Sequence, residues 1–222
     1  AGSALVGNSG GAAFNEVTIT NGGRVISAGT TFGANAGSNN TITVTGQGSV
    51  WYMRGILFMG ANTGLAAGGF SNRLMISDGA VVTNGLAYVC GNNETNIAPS
   101  KFNSVVVTGQ GSVWSNMQVT VGRLPGQAFN SVLVAGSGTV YSVNGLNLGT
   151  LSAVGAISNS VTITDPGSVW NSSAGTVIVG GTTNNNYNSL TITNGGTFLS
   201  GNATVGNLIG ANSNNVLVTG NS

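Results

Sequence analysis

One pattern recurs along the whole of this chain. An Asn opens a stretch in which apolar and small polar residues alternate; a Gly-containing turn, a short apolar strand and a second alternating run follow, and the unit ends on Gly. The fullest copy runs from Asn159 to Gly180, NSVTITDPGSVWNSSAGTVIVG. Its opening Asn has counterparts at Asn15, Asn40, Asn72, Asn103, Asn130, Asn188 and Asn214, so that successive copies are 25, 32, 31, 27, 29, 29 and 26 residues apart. Self-similarity at this period marks a stacked array, because one such unit cannot bury its apolar face without neighbours. The variation in length also has a place. From each Asn to the closing Gly (Gly33, Gly60, Gly91, Gly122, Gly149, Gly180, Gly206) the distance is 18 to 21 residues, and from that Gly to the next Asn it is 7 to 12. A nearly constant arm with a variable connector is how a solenoid takes up insertions on one side.

Each unit reads as three short strands. In the first, Val17/Ile19, Ile42/Val44, Leu74/Ile76, Val105/Val107, Val132/Val134, Val161/Ile163, Leu190/Ile192 and Val216/Val218 recur with period two and are expected to point inward. The turns that follow, among them Asn21-Gly22-Gly23, Gly109-Gln110-Gly111 and Asp165-Pro166-Gly167, carry residues that tolerate positive φ or preset a turn. The second strand is short and apolar, as in Val50-Trp51, Val113-Trp114, Val140-Tyr141 and Val169-Trp170; the third supplies pairs such as Leu57/Met59 and Val177/Val179. No segment has the spacing and caps of a helix, and parallel strands joined without helices coil. The expected fold is all-β: a right-handed parallel β-helix of seven to eight coils, each of 25–32 residues and three strands. Coils stack about 4.8 Å apart, giving a rod roughly 35–40 Å long. Residues 1–222 are expected to form one solenoid. The frame opens inside a third strand at Ala4 and breaks off after a first strand at Val218, with no polar capping repeat. A segment of a longer repeat protein, or units that join end to end, would account for this.

Composition narrows the function. Only 4% of residues are charged, the net charge is +1 and there is no His, which gives neither a basic nucleic-acid surface nor much material for acid–base chemistry. The abundant Gly, Asn, Ser and Thr resemble a linker, but 41% hydrophobic residues is too many for a chain that stays unfolded. No apolar run approaches the ~18 residues of a membrane span, so direct membrane insertion is not expected. The acids are Glu16, Asp78, Glu94 and Asp165. Asp78 and Asp165 share a corner but are roughly 14 Å apart at ~4.8 Å per coil, too far for a pair of glycosidase carboxylates. No catalytic residue, cofactor or metal site is expected, and Arg24, Arg54, Arg73, Lys101 and Arg123 read as scattered solubilising charges. A phosphate cradle in the Gly-x-Gly turns would need a following helix, where a strand is expected. Cys90, placed at the position of Val121, reads as a small buried hydrophobe.

The stacked Asn residues, Asn15 through Asn214, are expected to form a structural ladder, since an amide both donates and accepts. Two further columns bear on function. Trp51, Trp114, Tyr141 and Trp170 each follow a Val expected to face inward, so strict alternation puts them outside, where a row of aromatics would stack on sugars or meet a partner. The simpler alternative is a corner that buries both residues, or a loop folded over the rings. An outward Thr-x-Thr array resembles the flat faces of ice-binding proteins, but Met75, Val106, Leu133 and Leu217 interrupt it.

The combination NSVTIT-x-x-GSVWN followed by V-x-V-G, at Asn159 to Gly180 and again from Asn103 to Gly122, resembles the repeats of autotransporter-type passenger domains and related giant bacterial surface proteins. The resemblance covers essentially the whole chain and implies a right-handed β-solenoid exported to a bacterial cell surface. The expected function is an extracellular structural or adhesive rod, a stalk or filament without catalysis. The alternative is a carbohydrate-binding module using the aromatic column. Expected partners are a second unit joined end to end and a cell-surface glycan or protein receptor.

Overall fold

A computed structural model describes residues 1–60, 68–90, 99–150 and 155–220 of the chain. These form a parallel β-solenoid of about seven turns, with no helix among the described residues. The first strands make an eight-stranded sheet that runs in chain order from Glu16–Ile19 through Thr41–Thr45, Arg73–Ser77, Ser104–Thr108, Ser131–Ala135, Ser160–Ile163 and Ser189–Ile192 to Asn215–Val218. Second and third strands build two more ladders, joined into one sheet where two long strands, Val169–Val179 and Thr197–Val205, each serve as both. All pairings are parallel and each coil bonds to the next in sequence, so the ladders run along the axis rather than within a coil.

The alternation in the first strands decides what is inside. Ile42, Leu74, Val105, Val132, Val161 and Leu190 pair in one column, and Val44, Ile76, Val107, Val134, Ile163 and Ile192 in the next, all buried. Third strands contribute Leu57, Ala87, Val119, Leu146 and Val177 in one column and Met59, Val89, Val121, Leu148 and Val179 in the next. Together with the second strands these make one apolar cluster along the rod. Removing this surface from water stabilises the stack by roughly 25 cal/mol per Å².

The second strand departs from its sequence reading. Its inward column is Val25, Trp51, Val82, Trp114, Val140, Trp170 and Phe198, paired coil to coil. Val50, Val113 and Val169, which precede the Trp residues, take the half-exposed side instead. Large and small side chains alternate up to Val140, so each indole lies between two smaller neighbours and fills space that a column of Trp alone would overpack.

Every coil enters its first strand through the same corner. The residue before each opening Asn has a left-handed backbone: Phe14, Asn39, Ser71, Phe102, Phe129, Ser158, Tyr187 and Ser213 have φ of 58, 55, 56, 61, 58, 56, 59 and 55°. None of these is Gly. The third strand ends on a second left-handed column, Gly7, Gly33, Gly60, Cys90, Gly122, Gly149, Gly180 and Gly206. Here a Cβ on Gly33 or Gly122 would overlap the side-chain amide of Asn72 or Asn159, so both backbone sign and space call for Gly. Cys90 is the exception. Because Val89 pairs with Val121, Cys90 stands one place past the core position expected for it, in the Gly column, and Gly91 lies outside the described residues.

Candidate functional site

The eight Asn residues form one continuous ladder. The Nδ2 of each donates to the Oδ1 of the next, at 2.8, 2.9, 2.9, 3.1, 3.0, 3.1 and 3.1 Å from Asn15 to Asn214. The same Oδ1 accepts the backbone N–H of the preceding Asn at 3.0–3.1 Å. A second Nδ2 hydrogen reaches a corner carbonyl, as in Asn72 to Gly37 and Asn188 to Ala156. The interior amides are fully buried and saturated. Their lone pairs and protons are committed to the stack, which leaves none to a ligand.

Trp51, Trp114 and Trp170 are no more than 2% exposed, which corrects the outward placement that strict alternation gave them. Each indole N–H is satisfied inside: Trp51 Nε1 donates to Ser27 Oγ at 3.2 Å, Trp114 Nε1 to Asn84 Oδ1 at 2.8 Å and Trp170 Nε1 to Ser172 Oγ at 2.9 Å. Tyr141 does lie outside, half exposed, but in a different column. It pairs with Ser115 and Asn171, and Val140 takes the place between Trp114 and Trp170. The turn is the reason. Thr108 pairs with Ala135 and Val113 with Thr139, so the turn through Gly136-Ser137-Gly138 is one residue shorter than that through Gly109-Gln110-Gly111-Ser112 and the strand arrives one step early. The four aromatics therefore do not form one surface.

Another set does. Four of the eight left-handed corner residues are aromatic, and all four are exposed: Phe14 at 80%, Phe102 at 55%, Phe129 at 48% and Tyr187 at 62%. Phe102 and Phe129, on adjacent coils, stack with centroids 5.3 Å apart and planes inclined by 8°. The remaining four positions are Asn39, Ser71, Ser158 and Ser213. A bulky residue at positive φ is strained, on the order of 1–2 kcal/mol. Burial does not repay that strain here, since the rings face solvent. The row was open to view in the sequence, because each ring immediately precedes a ladder Asn in Phe14-Asn15, Phe102-Asn103, Phe129-Asn130 and Tyr187-Asn188. Alternation did not find it because it lies at a corner, between strands.

Among the described residues the acidic side chains do not converge. Asp78 Oδ2 accepts from Thr45 Oγ1 at 2.9 Å and from Ser77 Oγ at 3.1 Å, and Asp165 Oδ2 accepts the Gly136 N–H at 3.0 Å. Both acids sit at left-handed turn positions, φ 55° and 77°, each bonded across its own corner. Glu16 is exposed on the first strand, accepting from Thr18, and Glu94 lies outside the described residues. Among the described residues no three His, Cys, Asp or Glu side chains gather as metal ligands would. The Arg123 guanidinium lies 5.3 Å from the centroid of Tyr88, whose ring stacks on Phe58 at 5.5 Å. The outward first-strand column reads Thr18, Thr43, Met75, Val106, Leu133, Thr162, Thr191 and Leu217, so its Thr run is broken in the middle of the rod.

Cys90 is fully buried, with its thiol donating to the Ser100 carbonyl at 3.0 Å. Desolvation pushes the thiol up to about 12, against the smaller opposing effect of hydrogen bonds to Ser100 and Asn130. A thiol held neutral and out of water is inert as a nucleophile. No helix of the described chain is long and apolar enough to cross a membrane. No family model matches the chain, and no curated protein or solved structure matches it.

Proposed function

We propose that this chain is an extracellular structural and adhesive β-solenoid, a non-catalytic stalk of the passenger-domain kind on a bacterial surface, whose corner row of aromatics is its contact surface. The observation that carries the reading is the row itself: Phe14, Phe102, Phe129 and Tyr187 are held at left-handed backbone positions and left exposed, where Ser71, Ser158 and Ser213 occupy the equivalent places. Exposed apolar rings at strained positions support a role in contact with another surface. The saturated Asn ladder, which ties each coil to the next, supports the rod.

A glycan is the second reading for the same row, because ring faces suit the apolar side of a sugar. It passes from the buried Trp column to Phe14 and Tyr187, which among the described residues have no ring stacked on them. The test uses Ser, the residue that other coils carry at this corner. Retention of the purified chain on arrays of immobilised glycans and of extracellular matrix proteins is measured for the wild type, for Phe102→Ser with Phe129→Ser, and for Phe14→Ser with Tyr187→Ser. Binding lost in the first double variant, with unchanged β-sheet circular dichroism, is expected for a protein receptor; glycan binding lost in the second marks a sugar. A wild-type chain that is folded and binds neither array sinks the adhesive reading.

A further inference from the structure

The corner between second and third strands changes length from coil to coil in the middle of the rod. Ser115, Tyr141, Asn171 and Leu199 pair in one column, and Val119, Leu146, Val177 and Ala203 in another. Between the two columns the chain advances four residues from Ser115 to Val119, five from Tyr141 to Leu146, six from Asn171 to Val177 and four again from Leu199 to Ala203. The coil opened by Asn159 is therefore the longest of the four here. Its surplus falls where the register breaks between Ser172 and Thr176, and Ser173 and Ala174 there are exposed. They form a step on the face of the rod. On the preceding coil, beside that step, lie Tyr141, 45% exposed, and Val143, 56% exposed. A hollow of ≈ 120 Å³ opens between them, lined by residues that include Tyr141, Val143, Asn171, Ser173 and Ala174.

The chemistry of the hollow selects a ligand. Asn171 Oδ1 accepts the Ser173 N–H at 3.0 Å, which only the oxygen of the amide can do, so the group is held one way round. Its Nδ2 has no acceptor among the described residues and is free to donate. Tyr141, paired with Asn171 one coil away, has no ring stacked on it among the described residues. No lining residue is charged, and beyond Arg123 the chain carries a single charged side chain, Asp165, which is bonded to the Gly136 N–H. A phosphate, carboxylate or ammonium group finds no counter-charge here. An aromatic face beside an oriented amide donor matches one sugar ring, whose apolar C–H face lies on the aromatic ring while a hydroxyl accepts from the amide. An apolar peptide side chain would use Tyr141 and Val143 but cover the amide without pairing it, which opposes binding. We propose that this hollow binds one uncharged sugar unit, with Tyr141 as its platform and Asn171 as its hydrogen-bond donor. The site shares a ligand class with the second reading above but none of its residues, since Phe14 and Tyr187 stand at the corner that leads into the first strand.

The experiment is saturation-transfer NMR on the purified chain, with methyl β-glucopyranoside, methyl N-acetyl-β-glucosaminide and N-acetyl-leucinamide as probes. Transfer to the ring C–H protons of a neutral sugar is expected. It should disappear in Tyr141→Ser, a residue that the same column already carries at Ser115. Asn171→Asp keeps an oxygen for the Ser173 N–H and removes the donor, and is expected to weaken binding of that sugar about three- to tenfold. Circular dichroism of each variant checks that the β-sheet is intact. No transfer to either sugar from the folded wild type, or transfer that survives Tyr141→Ser, would overturn the proposal. So would stronger transfer to N-acetyl-leucinamide that Asn171→Asp leaves unchanged, which marks a peptide contact. Phe14→Ser with Tyr187→Ser leaves the hollow untouched, so transfer lost there and kept in Tyr141→Ser assigns the sugar to the corner row and removes it from this site.

Discussion

Left-handed backbone is concentrated at the corners of each coil, and what fills those corners differs in kind. Gly closes the third strand because a Cβ there would collide with a ladder amide, and Cys90 alone departs from that rule. Its sequence neighbour Gly91 hid this: with Gly one residue later, Cys90 looked like the last core position, and only the pairing of Val89 with Val121 moves it. The buried thiol makes a measurable claim on pH. Its folded value is raised, from an ordinary 9.0 to about 12, by desolvation. The unfolded chain therefore loses its thiol proton first as pH rises, and folding must hold the proton on. Stability is expected to be unaffected by this group below about pH 9 and to fall by up to about 1.4 kcal/mol per pH unit between there and about 12. Urea unfolding of wild type and Cys90→Ala across that range checks it; parallel curves would show that the thiol is not desolvated.

At the scale of the strand, the first strands could be read directly, and so could third strands such as Leu57–Met59 and Val177–Val179 but not the one that runs into Cys90, because period two is unambiguous when the inward column is aliphatic and the strand end is marked. The second strand could not, because Val-Trp is apolar at both positions and alternation does not say which points in. Volume decides it: an indole outside would leave the interior unfilled, whereas Val tolerates a half-exposed place. One turn shorter by a residue then moved Val140 rather than Tyr141 into the Trp column. Two substitutions on equivalent strands test this phase. Trp114→Phe shrinks a buried ring and strands Asn84 Oδ1, at a cost of about 2–4 kcal/mol. Tyr141→Phe removes a hydroxyl from an exposed ring and should change stability by less than about 0.5 kcal/mol. Urea midpoints that shift equally in the two variants would count against the assignment of inside and outside. The corner aromatics escaped the sequence reading for a related reason: periodicity describes strands, and Phe102 or Tyr187 belongs to none.

For the whole molecule, the repeat gave fold class, coil number and the Asn column, all from spacing, because a solenoid is held by neighbours one period apart. Contact surface was less legible, since nothing in a repeat says which of its outward positions another molecule touches. The unequal coils have a mechanical consequence. The bonds joining coils lie along the rod axis, so a load applied between the ends opens them one coil at a time rather than shearing a whole sheet. Each released coil then lengthens the tether by its own chain length less one coil spacing. With repeats of 25 to 32 residues, this is roughly 80–110 Å per step at full extension. A force spectrum of the single chain should be a sawtooth with unequal teeth in that range, and one cooperative rip would show that the coils do not yield separately. The connectors, which looked like mere irregularity in the repeat, thus write an ordered series of lengths into the way this rod comes apart.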